Sequence, residues 1–424
     1  MKTKLRKRRI GLRIFLCLLG ILLIGAGISL GRMAMHRQSP DTFGSCVWEQ
    51  DAPFDLSLFD GTKLTLPAGQ ETLRLLYLSD PQLKFGWFTS DTKTMDLICR
   101  AIAEEKPDLV VIPGDLTRSF LFTYDAYRYF ADFMEEQECY WTMVFGNHDA
   151  QHDSSKYTLS ELLKSYEHCL FDVGPENIKG TGNFLVNVFR EGEATPCYAL
   201  VMMDSNMYPE DYAVAESWVY DWIGEDQIAW YRWAVNGLKA LNPDIRTTLV
   251  QHIPLRQWAD MYYADLSAKG ETIPVEIDKT AFLPVSGVAG TVCEADKSDL
   301  ERMDAGYDVG IYYQGRDTGL FSAVRELGVT DAMVCSHDHV NTLRGTYGGV
   351  YLIYTHCTGY HTYPFFPHAN WLTGLVGGNE KPLWNGEMWV DEAGNQMEKG
   401  VSVMDIDLTE HTFTFFDLAD SELS

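Results

Sequence analysis

Two histidines one residue apart are the part of this 424-residue sequence whose type and spacing point most directly to chemistry. They are His337 and His339 in the stretch VCSHDHVN, which follows a short apolar run. Alternate residues of an extended segment share one face, so two imidazoles placed in this way are able to chelate a cation. Imidazole suits transition metals, and the stretch therefore predicts a metal site.

Further potential metal ligands follow other apolar runs, at the point where each predicted strand ends. Taken alone, each is ordinary turn chemistry, because Gly, Asp and Asn tolerate tight loops. In open α/β sheets, however, ligands bind in the crevice beyond the carboxyl ends of the strands, so five such strands predict one common rim. The residues are Asp80 and Gln82 in LYLSDPQ, Asp115 in VVIPGD, Asn147 and His148 in MVFGNHD, His252 in LVQH, and the histidine pair in MVCSHDH.

The mixture of ligand types has a chemical reason. Two divalent cations that lie close together repel each other, so they need a carboxylate that bridges them, and Asp115 is the natural candidate. Neutral imidazoles and amide oxygens fill the other positions without an excess of negative charge, which leaves room for an anionic substrate and a hydroxide. This composition suits phosphoryl transfer.

The elements that must position these residues alternate between strand and helix, which predicts an α/β fold with buried sheets. The predicted strands are 73–79, 108–112, 140–145, 198–203, 246–250, 331–335 and 349–355, and a hairpin closes the chain at 400–418. The predicted helices are 91–105, 124–138, 154–168, 226–241 and 318–327. Residues 256–317 lack a clear period and are interpreted as an insertion, and 364–395 as a surface loop.

The N-terminus differs from the rest of the chain. Residues 1–13 form a basic tail, and residues 14–31 are an uncharged apolar run of 18 residues, near the lower limit for a transmembrane helix. Basic residues before the run place the tail in the cytoplasm and the catalytic domain outside the cell membrane, in a single-pass arrangement. A cleaved signal peptide, which would give a secreted protein, is the alternative. Residues 32–70 then form a linker and leading strand region, and 71–424 the main domain.

Charge limits the possible partners. All 60 acidic residues lie at Asp41 or later with 25 of the 34 basic ones, so this part of the chain carries 25 − 60 = −35. Such a surface repels long nucleic acids and anionic lipid unless a local positive source is present. A metal cluster would be one such source.

The ordered motifs resemble the signature of the calcineurin-like metallophosphoesterases. They are Asp80-Pro81-Gln82, Gly114-Asp115, Gly146-Asn147-His148-Asp149, His252 and His337-Asp338-His339. The stretches DWIGEDQIAWY, QHIPL, SHDHVN and GYHTY further resemble the subgroup related to purple acid phosphatases. The resemblance implies a sandwich of two mixed β-sheets flanked by helices.

The resemblance also implies a dinuclear centre of two transition metal ions, Mn, Fe or Zn. One ion would take Asp80, Gln82, Asp115 and His339, and the other Asp115, Asn147, His252 and His337. His148 would face the substrate, with Asp149 orienting it, and a bridging hydroxide would attack phosphorus. A small phosphorylated molecule is the expected substrate, with Asn147, Arg118, Asn341 and His361 as its candidate contacts.

Three departures from the family pattern qualify this expectation. Gln82 replaces the histidine of the first motif, and amide oxygen is a weaker ligand than imidazole. Arg118 stands where purple acid phosphatases have the tyrosine that gives them their colour, and Ser336 replaces a glycine. The predicted function is that of a phosphomonoesterase. The alternatives are a phosphodiesterase acting on nucleotides or lipid head groups, and a catalytically impaired binding protein on the same scaffold.

Overall fold

The fold is described from a computed structural model of the chain. The structure describes residues 2–37, 45–85, 91–208, 220–271, 273, 278–292, 311–360 and 398–424. Within these residues it has two mixed β-sheets with flanking helices, so the predicted fold class is confirmed.

The smaller sheet has five strands and carries the first three motifs. Its order is β13-β12-β2-β3-β4, formed by β2 (Thr72–Tyr77), β3 (Leu109–Ile112), β4 (Trp141–Met143), β12 (Gly400–Asp407) and β13 (Thr412–Ala419). Strands β2, β3 and β4 run parallel, and β12 and β13 pair antiparallel as the predicted closing hairpin. All four residues of β3 are buried, as expected for a central parallel strand that is covered on both faces.

The larger sheet has eight strands and carries the remaining motifs. Its order is β1-β5-β6-β7-β9-β11-β10-β8, and β6, β7, β9 and β11 are parallel to one another. The strands are β1 (Lys63–Leu66), β5 (Phe184–Arg190), β6 (Tyr198–Met202), β7 (Arg246–Val250), β8 (Val285–Ala289), β9 (Thr330–Cys335), β10 (Arg344–Tyr347) and β11 (Val350–Tyr354). One hydrophobic core includes residues of both sheets.

Helices flank the sheets, and most of them bury one apolar stripe. They are α1 (Lys2–His36), α2 (Asp91–Glu105), α3 (Thr123–Glu136), α4 (Lys156–Leu163), α5 (Glu225–Leu241), α6 (Gln257–Lys269) and α7 (Leu320–Leu327), with short 3-10 turns at Leu56–Thr62, Lys279–Ala281 and Asp420–Glu422. The five helices predicted after the N-terminal segment correspond to α2, α3, α4, α5 and α7. Their ends agree within two residues except at the predicted helix 154–168, of which α4 covers only Lys156–Leu163.

The segment interpreted as an insertion, 256–317, has regular structure in its described part. It contains α6, and β8 joins the edge of the larger sheet through β10. Trp258, Met261 and Tyr263 are buried by packing against the core, and their mixed polar and aromatic neighbours conceal the helical period in the sequence. The surface loop predicted at 364–395 lies outside the described residues, and the domain boundaries stay a prediction.

Candidate metal centre

Five strands deliver the predicted ligands to one place, each from its carboxyl end. Strands β2, β3 and β4 of the smaller sheet lead into Asp80, Asp115 and Asn147. Strands β7 and β9 of the larger sheet lead into His252 and the His337/His339 pair. The side chains of all seven predicted ligands are buried, with relative exposures from 0% to 7%: Asp80, Gln82, Asp115, Asn147, His252, His337 and His339.

The first group of side chains surrounds one oxygen of Asp115. Gln82 Nε2 lies 3.1 Å from Asp115 Oδ2 and 3.1 Å from His339 Nε2. His339 Nε2 is 3.4 Å from Asp80 Oδ1. The ligand atoms of Asp80, Asp115 and His339 all lie within 4.8 Å of one another, which is close enough for one cation to contact all three.

The second group surrounds the other oxygen of the same carboxylate. His252 Nε2 lies 3.5 Å from Asp115 Oδ1 and 3.0 Å from Asn147 Oδ1. His337 Nδ1 is 3.3 Å from His252 Nε2. Asp115 thus stands between the two groups, with one oxygen toward each.

Backbone strain is concentrated at these residues. Asp80, Gln82, Asp115 and His337 have positive φ angles of 48°, 45°, 53° and 88°, a region that residues other than glycine rarely adopt. Such conformations cost free energy and persist where the surrounding structure enforces them, as it does at ligand-binding sites. The strain therefore indicates a site where the required side-chain directions are maintained at a cost in backbone conformational energy.

A glycine makes room for the central carboxylate. A Cβ atom at Gly146 would overlap Asp115 Oδ1 and approach the Asp115 backbone nitrogen, so no larger residue fits without moving Asp115. The backbone N–H of His148 donates to the same Oδ1 at 2.8 Å. The Gly-Asn-His turn after β4 consequently fixes the direction of the Asp115 carboxylate.

The hydrogen bonds of His252 determine which ring nitrogen faces the carboxylate. Its Nδ1 lies 2.8 Å from the carbonyl oxygen of Pro113, which can only accept, so Nδ1 carries a hydrogen. In the neutral ring Nε2 then presents its lone pair to the oxygens of Asp115 and Asn147, an arrangement that needs a cation or a proton between them. Burial lowers the pKa of His252, but Asp115 outweighs it and raises this pKa to about 9.

The charges of the other buried groups are mutually dependent. Burial raises the pKa of Asp115, but the neighbouring His252 and His148 outweigh this and hold it below its ordinary value. Burial and the proximity of His252 lower the pKa of His337 well below its usual range, so its ring is neutral and able to act as a ligand. Asp115 is thus kept ionised, and a metal ion that replaces the proton on His252 would meet a carboxylate and two imidazoles, a suitable donor set for transition metals.

A dinuclear metal centre fits this chain. Asp80 Oδ1 and Gln82 Oε1 are buried oxygens without a hydrogen-bond partner among the described residues, although buried polar atoms are almost always satisfied. The Asp80, Asp115 and His339 cluster would hold one ion through two carboxylates and an imidazole. His252, Asn147 and His337, with the second oxygen of Asp115, provide the donors for another.

The contacts of Asp149 differ from the role expected of it. Its two oxygens accept hydrogen bonds from the backbone N–H groups of Gly146, Asp115 and Thr117, at 2.7, 2.9 and 3.0 Å. The ring of His148 is instead hydrogen-bonded through Nδ1 to Gln151 Oε1, at 2.8 Å. Asp149 thus ties the loops after β3 and β4 together, because its carboxylate lies where several backbone donors converge. Burial, followed by the charge of Asp115, raises the pKa of Asp149 to about 7.

The predicted substrate contacts have different positions. Arg118 is partly exposed beside the site, whereas Asn341 is buried and its amide donates to Asp338 Oδ2 at 3.3 Å. Asp338 also accepts from the Tyr312 backbone N–H at 2.9 Å and from the Tyr354 hydroxyl. Asn341 therefore supports the histidine loop from within, and His361 lies outside the described residues.

Sequence patterns did not reveal several residues that contact the ligands. The Tyr208 hydroxyl accepts from Asn147 Nδ2 at 3.2 Å, and the Tyr220 ring meets His337 edge-on with centroids 4.5 Å apart. Ser336 Oγ lies 3.0 Å from His252 Nδ1. Only Gln151, three residues after His148, had a local signal, since a turn brings such positions together.

Comparison with known proteins agrees with the fold. Residues 73–283 match the family model of the calcineurin-like phosphoesterases, so the chain contains a domain of this family. It is 24% identical over 65% of its length to a protein of Arabidopsis thaliana named probable inactive purple acid phosphatase 14, and 26% identical over 59% to phosphatase DCR2 of Saccharomyces cerevisiae.

These similarities cover only part of the relatives. The chain spans 64% of the Arabidopsis protein and 39% of the yeast protein. Among solved structures, it is similar to a dimetal phosphatase from Danio rerio at a TM-score of 0.38 and 13% identity, over 68% of this chain and 88% of that one.

Proposed function

We propose that the chain hydrolyses phosphate monoesters at a dinuclear metal centre. The observation that carries the proposal is the position of Asp115, a fully buried carboxylate with one oxygen toward Gln82 and the other toward His252. Metal ions bound there would act as Lewis acids on the phosphate and lower the pKa of a water.

The chain's own residues orient the reaction. His148 is the group at the edge of the site, with 12% of its side chain exposed and its Nε2 4.0 Å from Asp115 Oδ2. Gln151 Oε1 accepts the Nδ1 hydrogen, so the ring turns Nε2 toward the cluster, and when both nitrogens are protonated it can give the leaving oxygen the proton on Nε2. Asp149 acts as a positioning residue, because it fixes the backbone that carries Asp115 and His148.

We also propose that α1 anchors the chain in the cell membrane with the domain outside. Among the described residues, the stretch Phe15–His36 is the one helix that is long and apolar enough to cross a bilayer. The basic residues before it favour an N-terminus in the cytoplasm. A cleaved signal peptide has the same features, and N-terminal sequencing of the mature chain separates the two.

The test of the catalytic proposal uses the full chain in detergent, supplied with Mn, Fe or Zn, and an aryl phosphate. Asp115→Asn should lose metal ions and reduce turnover by roughly a hundredfold or more, because both ions share this carboxylate. Asp108→Asn is the matched control, since Asp108 lies at the opposite end of β3 and bonds to Gln70 and to the backbone of Arg74. An active Asp115→Asn variant with two ions per chain would contradict the proposal.

A second variant separates chemistry from metal binding. His148→Ala should keep both ions and lose most of kcat on the aryl phosphate, because the ring lies beside the cluster. Unchanged kcat would remove His148 from the catalytic role.

A binding protein on the same scaffold is the second candidate function. Gln82 favours it, because a neutral amide replaces the histidine of the family motif and one relative is named as inactive. Elemental analysis discriminates: about two ions per chain and turnover support the enzyme, and an empty chain that still binds phosphate supports the binding protein. Comparison of an aryl monoester with a diester tests the phosphodiesterase alternative.

A further inference from the structure

The C-terminal end of α1 is fixed to the domain by an ion pair. The Arg32 guanidinium pairs with Asp125 in the first turn of α3, and its Nε donates to the Leu121 carbonyl oxygen at 3.2 Å. The guanidinium also lies over the Phe122 ring, 5.2 Å from the centroid. Three separate contacts made by one side chain define the direction in which the helix leaves the domain.

His36, one turn further, fixes the same end to a second segment. Its ring stacks on Tyr124, with centroids 4.3 Å apart and planes 16° apart. Its carbonyl oxygen accepts from the Ser155 backbone N–H at 2.9 Å. The helix end therefore touches both the loop that follows Asp115 and the segment that follows His148.

These contacts begin immediately after the apolar run. The run ends at Gly31, and Arg32 is the next residue, so the two are about 1.5 Å apart along the helix axis. Within the described residues, the first contact with the domain therefore follows the apolar run directly along the helix. If α1 spans the bilayer, residues 118–125 must lie at the level of the lipid head groups.

Exposed aromatic side chains occupy this surface. Phe85, Phe120, Phe122 and Tyr129 are 37%, 60%, 41% and 41% exposed, and we call these four residues the juxtamembrane face. The centroid of the Phe85 ring lies 6.3 Å from that of Phe122 and 6.0 Å from that of Tyr129. Aromatic rings are enriched where membrane proteins meet the head groups, whereas an exposed aromatic cluster in water is unfavourable.

The juxtamembrane face is continuous with the edge of the candidate active site. The Phe120 ring contacts His152, with centroids 5.1 Å apart. His152 belongs to the same turn as His148 and its partner Gln151. A group that enters along this face therefore reaches His148 within one turn of the chain.

Of the three charged side chains that act on His152 at this edge, two are the cations Arg118 and Arg37 and one is the carboxylate Asp153, whereas residues 41–424 carry −35. Burial lowers the pKa of His152, the charge of Asp153 opposes this, and the charges of Arg118 and Arg37 lower the pKa further. Asp153, whose charge opposes this effect, is buried and accepts from the Thr123 backbone N–H at 3.2 Å. An anionic head group would be attracted to this edge, while the acidic remainder of the domain would be repelled from the membrane.

From these contacts we propose that the substrate is a phosphate monoester carried by a lipid of the membrane that α1 spans. The proposal rests on the function and the anchor proposed above. Water forms the new bond to phosphorus, the P–O bond to the lipid breaks, and the lipid oxygen takes a proton. Phosphate leaves to the solvent, and the lipid alcohol stays in the bilayer.

The first experiment measures membrane contact without any catalysis. Benzoylphenylalanine is placed at position 120 in the full chain, which is reconstituted into phosphatidylcholine vesicles that contain phosphatidic acid and then irradiated. The expected result is a mass increase of one phospholipid per chain. The same residue at position 140 is the control, because Tyr140 is 40% exposed but lies beyond the far end of α3, about 20 Å away. Equal labelling at both positions, or none at 120, would overturn the proposal.

The second experiment compares two phosphate sources with the metal-loaded full chain in the same vesicles. Phosphatidic acid in the bilayer is the lipid probe and an aryl phosphate is the soluble one. The double variant Phe120→Ser, Phe122→Ser should reduce kcat/KM for the lipid probe roughly tenfold, because two interfacial anchors are lost, and leave the soluble probe unchanged. Tyr140→Ser should change neither.

The outcomes separate this proposal from the proposed function. Turnover of the soluble probe with no turnover of phosphatidic acid would retain the phosphatase and refute the lipid substrate. Equal losses on both probes would show that the two phenylalanines serve folding, which also refutes it. A chain that cross-links lipid at position 120 but hydrolyses neither probe would refute the catalytic proposal while the membrane contact stands.

Discussion

Asp149→Ala should be among the most destabilising single substitutions near the site, although Asp149 is not a predicted metal ligand. The side chain is fully buried and accepts three backbone N–H bonds, from Gly146, Asp115 and Thr117. Alanine would leave all three donors without this acceptor.

The magnitude follows from those three bonds. At a pH above the Asp149 pKa of about 7 the carboxyl is ionised. A hydrogen bond to a charged acceptor contributes about 1.5–3 kcal/mol, and partial relaxation and water entry recover part of the loss. We therefore expect the free energy of unfolding to fall by about 3–5 kcal/mol, a large fraction of the total for an ordinary domain. Asp149→Asn should lose about half as much, because the amide keeps one acceptor oxygen but presents an N–H₂ group to the remaining donors.

Pulse proteolysis in urea, on the full chain in detergent without added metal, measures this free energy. Asp96→Ala is the control, since Asp96 is 71% exposed and forms only a surface pair with Arg100, so its loss should stay below about 0.5 kcal/mol. A loss below about 1 kcal/mol in Asp149→Ala would mean that the three N–H groups find other partners, and the argument that Asp149 holds the loops together would fail.

Three further predictions concern the metals. Gln82→His should lower the Kd of the more weakly bound metal ion about tenfold in a calorimetric titration, because imidazole is a better ligand than an amide. An unchanged Kd would place Gln82 outside the coordination sphere. Gly146→Ala should lose metal because its Cβ overlaps Asp115 Oδ1, whereas Gly61→Ala, with open space around the new Cβ, should titrate like the wild type. Metal at about a hundredfold above its Kd should raise the free energy of unfolding by about 2.7 kcal/mol, an increase that a chelator should reverse, and a chain of unaltered stability would show that no tight site exists.

The fold was largely predictable because its signals are local. Strand β3 is LVVI and is buried throughout, β4 is buried throughout as well, and β2 is buried in its last three residues. The closing hairpin was also predicted, and β12 and β13 form it. Helix α6 was not predicted, because Trp258 and Tyr263 are buried by contacts with residues distant in sequence, and the local sequence shows no helical periodicity.

The candidate site was predictable to a different degree. Each ligand follows a strand, so its approximate position was set by short-range sequence, and Asp115 was expected at the centre. The partners of these ligands were not predictable, because they come from distant segments. Tyr208 contacts Asn147 from 61 residues away in sequence, and Pro113 contacts His252 from 139 residues away.

The sequence by itself determined the order of the motifs, the chemical types of the ligands, the alternation of strands and helices, and the apolar N-terminal run. These features depend on residue type and on patterns that repeat every few residues, and such patterns can be read from a short stretch of sequence. Only the tertiary structure decided that Asp149 binds backbone rather than the ring of His148, and that Arg32 meets Asp125 beside the site. Such pairings depend on how distant segments pack, and packing is a property of the whole chain.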